Sequence, residues 1–198
     1  MSRAICRQCM RPQSVCVCGL IRQQNNHLPI IILRHVDERR HPLNTARLAR
    51  AGLRSCQCLD GLDFPQEKLK HELPPDWLRA PALLYPGGED ARASITESIT
   101  ALLVLDGTWR NTRELLLRNP WLHDVPKVSI AAAPASRYRL RKAAGTNSLA
   151  TIEAVGHVLA TTDAAFDLDR LLYPFEVMIE RQITRMGRSI YEKNYRGT

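Results

Sequence analysis

The sequence predicts an α/β protein with a mostly parallel sheet, preceded by a small cysteine-rich module. Short apolar runs that fit buried strands recur along the chain, and segments with helically spaced apolar residues separate them. Strands that alternate with helices are typical of parallel sheets covered by helices. Four cysteines within residues 1–27 set that segment apart from the rest of the chain.

The strand and helix candidates follow one another from residue 28 onwards. The continuous apolar run at 28–33 predicts the first strand, and the apolar spacing at 43–54 predicts the first helix. Residues 60–81 are rich in proline and charge and are predicted to be mostly loop. Further strands are predicted at 81–85, 99–105 and 125–130, and further helices at 109–118, 149–162 and 168–186.

The composition is that of a globular protein rather than a disordered or fibrous one. Of the 198 residues, 44% are hydrophobic and 24% are charged, which allows a substantial core. The net charge of +8 favours a polyanionic partner, because clustered Lys and Arg side chains release counterions from phosphate backbones. A solvated basic surface is the alternative interpretation.

The sequence contains no signal for a membrane or for secretion. No apolar run approaches the roughly 18 to 20 residues of a membrane span. The first residues, Met-Ser-Arg-Ala-Ile-Cys, lack the apolar core of a secretory signal. We therefore expect a cytoplasmic protein without a membrane partner, and no feature indicates an obligate protein partner.

The cysteines at the beginning of the chain predict a metal site. Cys6 and Cys9 are separated by two residues, and Cys16 and Cys18 follow closely. Because disulfides are rare in a reducing cytosol, four such thiolates favour a structural zinc ion with no open position. Unrelated reduced cysteines are the alternative. We expect a zinc module with four cysteine ligands at 1–27 and a catalytic domain at 28–198.

A second pair, Cys56 and Cys58, has two interpretations. With one intervening residue the two thiols form half of a metal site, or they point to the same side of a strand and pack there. Packing is the interpretation that we favour.

The segment Leu-Leu-Val-Leu-Asp-Gly-Thr-Trp, which ends at Trp109, carries an apolar strand into a turn and then a helix. The turn places the carboxylate of Asp106 at the end of the strand. Ligands in open α/β sheets bind at the carboxyl ends of strands, so Asp106 is a candidate functional residue. The alternative is that Asp106 or Thr108 only caps the helix.

Several other segments of the sequence, together with the Asp-Gly-Thr-Trp turn, resemble the motifs of a known family. They are the cysteine pairs, His-Val-Asp-Glu at 35–38, Pro-Leu-Asn-Thr at 42–45, and the tail segments 136–142 and 148–154. In this order and spacing they resemble the DTW-domain family, over about residues 6 to 185. Its members are tRNA-uridine aminocarboxypropyltransferases, and the bacterial enzymes that modify uridine 47 of the tRNA variable loop look most similar.

The resemblance implies a fold related to the SPOUT class, with a C-terminal trefoil knot that holds S-adenosylmethionine, the group donor. It also implies that the donor lies among the loops after the strands. There we place Thr45, Gly87, Leu105, Thr108, Ile130, Leu149 and Thr151. The family usually has proline after the histidine where this chain has Val36, so we assign no role to His35.

Asp106 is the candidate catalytic residue for that reaction. Uridine N3 is a poor nucleophile until its proton is removed or polarised, which a carboxylate within hydrogen-bond reach does as a general base. Holding the donor and capping the helix are the alternative roles. A related fold transfers the methyl group of the same donor instead, since only the orientation of the donor differs. A methyltransferase and a non-catalytic zinc-containing RNA-binding protein are therefore the rival functions.

A basic segment after the last strand predicts the tRNA-binding surface. Its cationic side chains are expected to bind phosphates, and two aromatic residues are expected to stack on unpaired bases. The cationic residues are Arg137, Arg139, Arg141 and Lys142, and the aromatic residues are Trp109 and Tyr138. Packing in the core is the alternative role of both aromatic rings.

Overall fold

The computed structural model of the protein describes residues 4–131, 133–140 and 149–196. Its strands are β1 (Ile30–His35), β2 (Cys56–Gly61), β3 (Pro81–Asp90), β4 (Ala101–Asp106) and β5 (Lys127–Ser129). Its helices are α1 (Ala46–Gly52), α2 (Gln66–Glu72), α3 (Ala91–Ser94), α4 (Trp109–Arg118), α5 (Thr151–Thr162), α6 (Leu168–Met186) and α7 (Arg188–Tyr191). Shorter helical turns are Gln13–Val15, Cys18–Leu20, Val36–Arg40, Pro120–His123 and Glu192–Arg196.

The five strands form one sheet in the order β2-β1-β4-β3-β5. Every neighbouring pair is parallel, which confirms the predicted parallel α/β sheet. β1 is buried along its whole length, as its run of β-branched and leucine side chains predicts for a central strand of a covered sheet.

Helices cover both faces of the sheet. Ile30 and Ile32 of β1 pack into one apolar cluster with α1, α5 and α6. The alternate residues Ile31 and Leu33 pack into a second cluster with α2 and α4. This alternation is what the two-residue repeat of a strand requires when both faces are buried.

The cysteine-rich segment is packed against α6. Val17 is fully buried and belongs to the same apolar cluster as α6. Arg181 donates a hydrogen bond from Nη1 to the carbonyl of Cys16 at 2.7 Å, and Arg185 donates to Ser14 Oγ at 2.9 Å. The orientation of this segment is therefore set by the C-terminal helix as well as by its own turns.

The prediction that residues 60–81 are mostly loop is wrong in part, because this region contains the end of β2 and all of α2. β2 is an edge strand whose residues after Cys56 are only partly covered. Its sequence therefore lacks the continuous apolar run by which a buried strand is recognised. α2 buries Leu69 alone, which leaves little helical periodicity in the sequence.

None of the helices in the described ranges is both long and apolar enough to cross a lipid bilayer.

Candidate functional site

Four cysteine side chains converge in the N-terminal segment. The Sγ atoms of Cys6, Cys9, Cys16 and Cys18 all lie within 4.8 Å of one another. Cys6 Sγ is 3.7 Å from Cys18 Sγ, and Cys9 Sγ is 3.7 Å from Cys16 Sγ. Tetrahedral zinc with Zn–S bonds of about 2.3 Å requires sulfurs separated by about 3.8 Å. The cluster therefore fits the predicted ion.

Backbone turns hold these thiols in place. The N–H of Cys6 donates to the carbonyl of Arg11, and the N–H of Met10 donates to the carbonyl of Cys6, both at 2.8 Å. Met10 adopts a left-handed conformation with φ of 57°. The nearby N–H groups of Cys9 and Gln8 lower the pKa of the Cys6 thiol to about 6, whereas burial raises the pKa of the Cys9 thiol.

A buried guanidinium accompanies the cysteines. Arg11 is 3% exposed, and its Nη1 has no hydrogen-bond partner among the described residues. Burial lowers the pKa of Arg11, while the nearby Cys9 and Cys16 act in the opposite direction. Four thiolates around a divalent cation leave a net charge of about −2, which would compensate this buried positive charge. Arg11 therefore supports a metal thiolate cluster.

Asp106 lies at the end of β4 in a buried network of polar side chains. The residue is 5% exposed. Asn44 donates from Nδ2 to Asp106 Oδ2 at 2.7 Å, and the Thr151 hydroxyl donates to Asp106 Oδ1. The loop before α1 and the first residue of α5 are thus both bound to one carboxylate. The alternative that Asp106 caps α4 finds no support, since Thr108 Oγ1 accepts from the N–H of Asn111 there.

Arg34 extends this network to the neighbouring strands. It lies opposite Asp106 in the pairing of β1 with β4 and donates from Nη1 to Asn44 Oδ1 at 2.9 Å. Its Nε donates to Asp60 Oδ1 of β2 at 2.6 Å. Burial alone would lower the pKa of Arg34, but the hydrogen bond to Asp60 and the charges of neighbouring acidic groups, Asp60 and Asp106 among them, together outweigh it and raise this pKa.

The network lies at a switch point of the sheet. β1 and β4 are neighbours, but the chain continues from β1 to β2 on one side and from β4 to β5 on the other. The helix after β1 packs on one face of the sheet, and the helix after β4 packs on the opposite face. Open α/β sheets bind ligands in the crevice that this arrangement leaves at the carboxyl ends of the strands.

The residues predicted to hold the donor lie around this same edge. Leu105 is the last residue but one of β4, and Thr108 lies between β4 and α4. Ile130 follows β5, and Thr45 lies beside Asn44 immediately before α1. Leu149 precedes α5, and Thr151 is bound to Asp106 as described. Gly87 lies in the stretch of β3 where the pairing with β5 shifts register.

The turn around Gly87 can be made only with small residues. Gly87 has φ of +79°, a conformation that glycine adopts without strain. A Cβ on the next residue, Gly88, would lie 2.5 Å from the backbone of Lys127. The two glycines therefore let this part of β3 pass close to the first residue of β5.

The predicted RNA-binding residues have different environments. The Arg137 guanidinium forms ion pairs with Asp169 and Glu176 of α6, and Arg139 pairs with Glu180. The Tyr138 ring packs edge-on against Phe175, with centroids 5.6 Å apart. Trp109 is 56% exposed at the first turn of α4. Arg141 and Lys142 lie outside the described residues.

Glu153 is a buried carboxylate that the sequence interpretation did not single out. It is fully buried and accepts hydrogen bonds from Ser136 Oγ and the N–H of Ala150, both at 2.7 Å, and from the N–H of Arg137. It thereby fixes residues 136–138 against the beginning of α5. Glu153 lies three residues after the N-cap Ala150 and accepts from its N–H, which is one half of a capping box. Because the N-cap residue is alanine, the usual Ser/Thr-x-x-Glu pattern is absent and the sequence gives no signal for this role.

Asn44 and Arg34 were also missed as site residues. An arginine at the end of an otherwise apolar strand was the available sequence signal for Arg34, because an unpaired charge is rarely buried. His35, for which no role was assigned, is 3% exposed. Its Nδ1 accepts from the N–H of Asp37 at 3.2 Å, and its Nε2 lies 3.4 Å from Glu114 Oε2. His35 thus connects the turn after β1 to α4.

The second cysteine pair is not part of the metal cluster. Cys56 is 1% exposed and belongs to the main apolar cluster, as the packing interpretation requires. Cys58 is half-buried, and burial raises its pKa to about 12, so its thiol stays protonated at neutral pH.

Comparison with known proteins places the chain in a family. The family model described as the DTW domain matches residues 3–183. The chain is 27% identical to tRNA-uridine aminocarboxypropyltransferase 2 of Drosophila melanogaster over 90% of this chain and 74% of that protein. It is 26% identical to the Macaca fascicularis protein of the same name, over 91% of this chain and 64% of that protein, and 25% identical to that of Mus musculus, over 98% and 68%. No solved structure matches. With nearly its whole length matched by one family model, the chain belongs to the DTW-domain family.

Proposed function

We propose that this protein transfers the 3-amino-3-carboxypropyl group of S-adenosylmethionine to N3 of a tRNA uridine. The observation that carries the proposal is the buried Asp106 carboxylate at the switch point of the sheet. Membership of the DTW-domain family and the names of the similar proteins support the reaction type. We propose position 47 in the variable loop as the acceptor.

The transfer requires one proton acceptor and one correctly oriented carbon. The N3 proton passes to a base, and the N3 electron pair forms a bond to the γ-carbon of the donor. The bond between that carbon and the sulfonium breaks, its electron pair goes to sulfur, and neutral methylthioadenosine is released. Methyl transfer would need the same base, so the protein selects the reaction through the orientation of the donor.

Asp106 is the proposed proton acceptor. Asn44 and Thr151 each donate one hydrogen bond to it, one to either oxygen. Because a carboxylate oxygen has two lone pairs, both oxygens keep acceptor capacity for the N3 proton. The two donors fix the plane of the carboxylate, and Arg34 fixes Asn44 in turn. Asn44 and Thr151 are therefore positioning residues in this proposal.

The donor is proposed to bind in the loops along the carboxyl edge of the sheet. Thr45 and Thr108 contribute hydroxyl groups there, and the backbone at Gly87 is exposed. The Thr151 hydroxyl donates its proton to Asp106, so it offers the donor molecule only an acceptor oxygen. Leu105, Ile130 and Leu149 contribute apolar surface for the adenosine. The positions of Thr45, Thr108, Ile130 and Leu149 in segments that follow strands or precede helices support this assignment.

The four N-terminal cysteines are proposed to hold a structural zinc ion. Cys6, Cys9, Cys16 and Cys18 fill all four positions of a tetrahedral site, so no position remains for a catalytic water. The ion would stabilise a segment that has almost no apolar core of its own.

Donor molecules labelled in two different groups test the proposed reaction. Unmodified tRNA is incubated with the protein and S-adenosylmethionine labelled in either the carboxyl or the methyl carbon. The proposal predicts carboxyl label in the tRNA and none from the methyl group. Methyl label in the tRNA would identify a methyltransferase, and absence of both labels would indicate an RNA-binding protein without this chemistry.

A further inference from the structure

A concave surface beside the Asp106 network is strongly cationic. It is a groove of about 580 Å³ between the cysteine-rich segment and the first strand–helix unit. We refer to it as the arginine groove, after the six arginines that line it: Arg7, Arg34, Arg39, Arg40, Arg47 and Arg50. None of these residues belongs to the basic segment from which the sequence predicted RNA binding.

We propose that the arginine groove binds the phosphate backbone of the tRNA substrate, and that the cysteine module forms one of its walls. This inference rests on the proposed function, since it takes tRNA as the substrate. Beyond that function, it specifies the surface on which the RNA lies and proposes that the cysteine module contributes to RNA binding.

The groove combines one turn of the cysteine-rich segment with the first strand–helix unit of the sheet. Arg7 lies in the turn between Cys6 and Cys9, and Arg34 lies in β1. The turn Val36–Arg40 supplies two arginines, and α1 supplies the remaining two. Five of the six arginines thus lie within residues 34–50, and the fold brings Arg7 of the cysteine-rich segment beside them.

The positive charge of the groove is poorly neutralised. Asp60 accepts from Arg34 Nε at 2.6 Å and lies 3.4 Å from Arg39 Nε. Among the described residues, no carboxylate lies at ion-pair distance from the other four arginines. Burial, together with the charge of Arg34, lowers the pKa of Arg47. The groove thus offers several guanidinium groups to an external anion, whereas Arg137 and Arg139 are already bound to acidic side chains of α6.

The chemistry of the groove favours a chain of phosphates over a single small anion. A guanidinium presents a planar set of donors that matches the oxygens of a phosphate. Arg7, Arg40 and Arg50 are exposed and come from three different elements, so they line an open groove rather than enclose one ion. A polyanion that runs past all three is the ligand that uses this arrangement.

The groove is directly connected to the candidate catalytic carboxylate. Arg34 lines the groove and donates to Asn44, which donates to Asp106. A nucleotide whose phosphates lie in the groove would have its base near the end of β4. The exposed ring of Trp109, three residues after Asp106, is available to stack on a base that has left the loop.

The cysteine module bears on RNA binding through Arg7. This residue lies between two of the four clustered cysteines and is exposed on the groove. Loss of the metal would release the turn that holds it. We therefore expect removal of zinc to weaken tRNA binding even when donor binding by the rest of the protein is unchanged.

The experiment compares tRNA affinity across a range of salt concentrations for the full-length protein and two double variants. Arg40→Ala/Arg50→Ala removes two exposed arginines of the groove. Arg54→Ala/Arg79→Ala is the matched control, because both residues are exposed and precede β2 and β3 at the opposite edge of the sheet. Thermal unfolding is used to check that both variants are folded. Arg40→Lys/Arg50→Lys tests whether positive charge without the planar guanidinium donors is enough for tRNA binding.

We expect the groove variant to bind tRNA about tenfold more weakly than the wild-type protein. The slope of log affinity against log salt concentration should become shallower by about one unit per lost phosphate contact, roughly two in all. The control should match the wild-type protein, and the lysine variant should keep most of the slope. S-adenosylmethionine affinity should be the same in all of them. A groove variant with the affinity and slope of the wild-type protein would overturn the proposal, as would a loss seen only in Arg141→Ala/Lys142→Ala.

The label-transfer assay separates this failure from a failure of the proposed function. Transfer by the wild-type protein, with normal RNA binding by the groove variant, would refute the groove and leave the reaction intact. Loss of RNA binding in the groove variant of a protein that transfers no label would support the groove and refute the reaction.

Discussion

Asp106 owes its orientation to side chains from two other elements. Asn44 and Thr151 donate to its two oxygens, and Arg34 binds Asn44 from the neighbouring strand. The sequence identified Asp106 because a carboxylate at the end of an apolar strand is conspicuous. The partners could not be identified in this way, since a single Asn or Thr near a helix start is equally consistent with a cap.

Replacement of Asp106 tests whether it is the base. Asp106→Asn keeps the shape of the side chain and removes the proton acceptor, so turnover should fall by roughly two to four orders of magnitude. Single-turnover kinetics measures this, and calorimetry should show that donor affinity survives. Collapse of donor affinity with much of the turnover retained would make Asp106 a binding residue instead.

Glu153 gives a prediction about stability. In Glu153→Gln the new amide N–H₂ would replace one carboxylate oxygen and face either the N–H of Arg137 or both the Ser136 hydroxyl and the N–H of Ala150, so at least one buried donor would lose its acceptor. We expect the free energy of unfolding to fall by about 1–3 kcal/mol, measured by chemical denaturation.

Glu180→Gln serves as the control for Glu153→Gln. Glu180 forms an exposed ion pair with Arg139, and such pairs contribute about 0–1 kcal/mol. If both substitutions lowered the free energy of unfolding equally, the buried hydrogen bonds of Glu153 would contribute no more to stability than an exposed ion pair.

Among the strands, the central ones and the edge strand β5 were predicted correctly, and the other edge strand, β2, was missed. β1 and β4 are buried on both faces and show it as continuous apolar sequence. β2 is held by its pairing with β1, a tertiary interaction that Cys-Gln-Cys-Leu-Asp-Gly does not display. α2 is likewise held by one buried leucine.

The cysteine module gives a prediction at this scale. Purified protein should contain about one equivalent of zinc by elemental analysis. Cys9→Ser should lose the metal and destabilise the N-terminal segment, because three ligands remain and the segment has little core. Cys56→Ser should keep the metal, since Cys56 packs in the main apolar cluster. Metal-free protein with intact folding and activity would contradict this account.

For the whole molecule, the layered α/β architecture could be predicted from the sequence, but the arginine groove on its surface could not. Parallel strands place their carboxyl ends at one edge by necessity, so the location of the candidate site followed from the fold class. The arginine groove depends on how the cysteine module packs on the sheet, which no local pattern specifies. The expected trefoil knot remains a prediction, since residues 141–148 lie outside the described ranges.

The identity of the modified nucleoside tests the central claim most directly. Unmodified tRNA is treated with the protein and S-adenosylmethionine and digested to nucleosides, which are analysed by mass spectrometry together with the small-molecule products. We expect uridine that carries the 3-amino-3-carboxypropyl group on N3 and an equal amount of methylthioadenosine. A methylated nucleoside with S-adenosylhomocysteine as the product, or tRNA left unchanged, would contradict the claim.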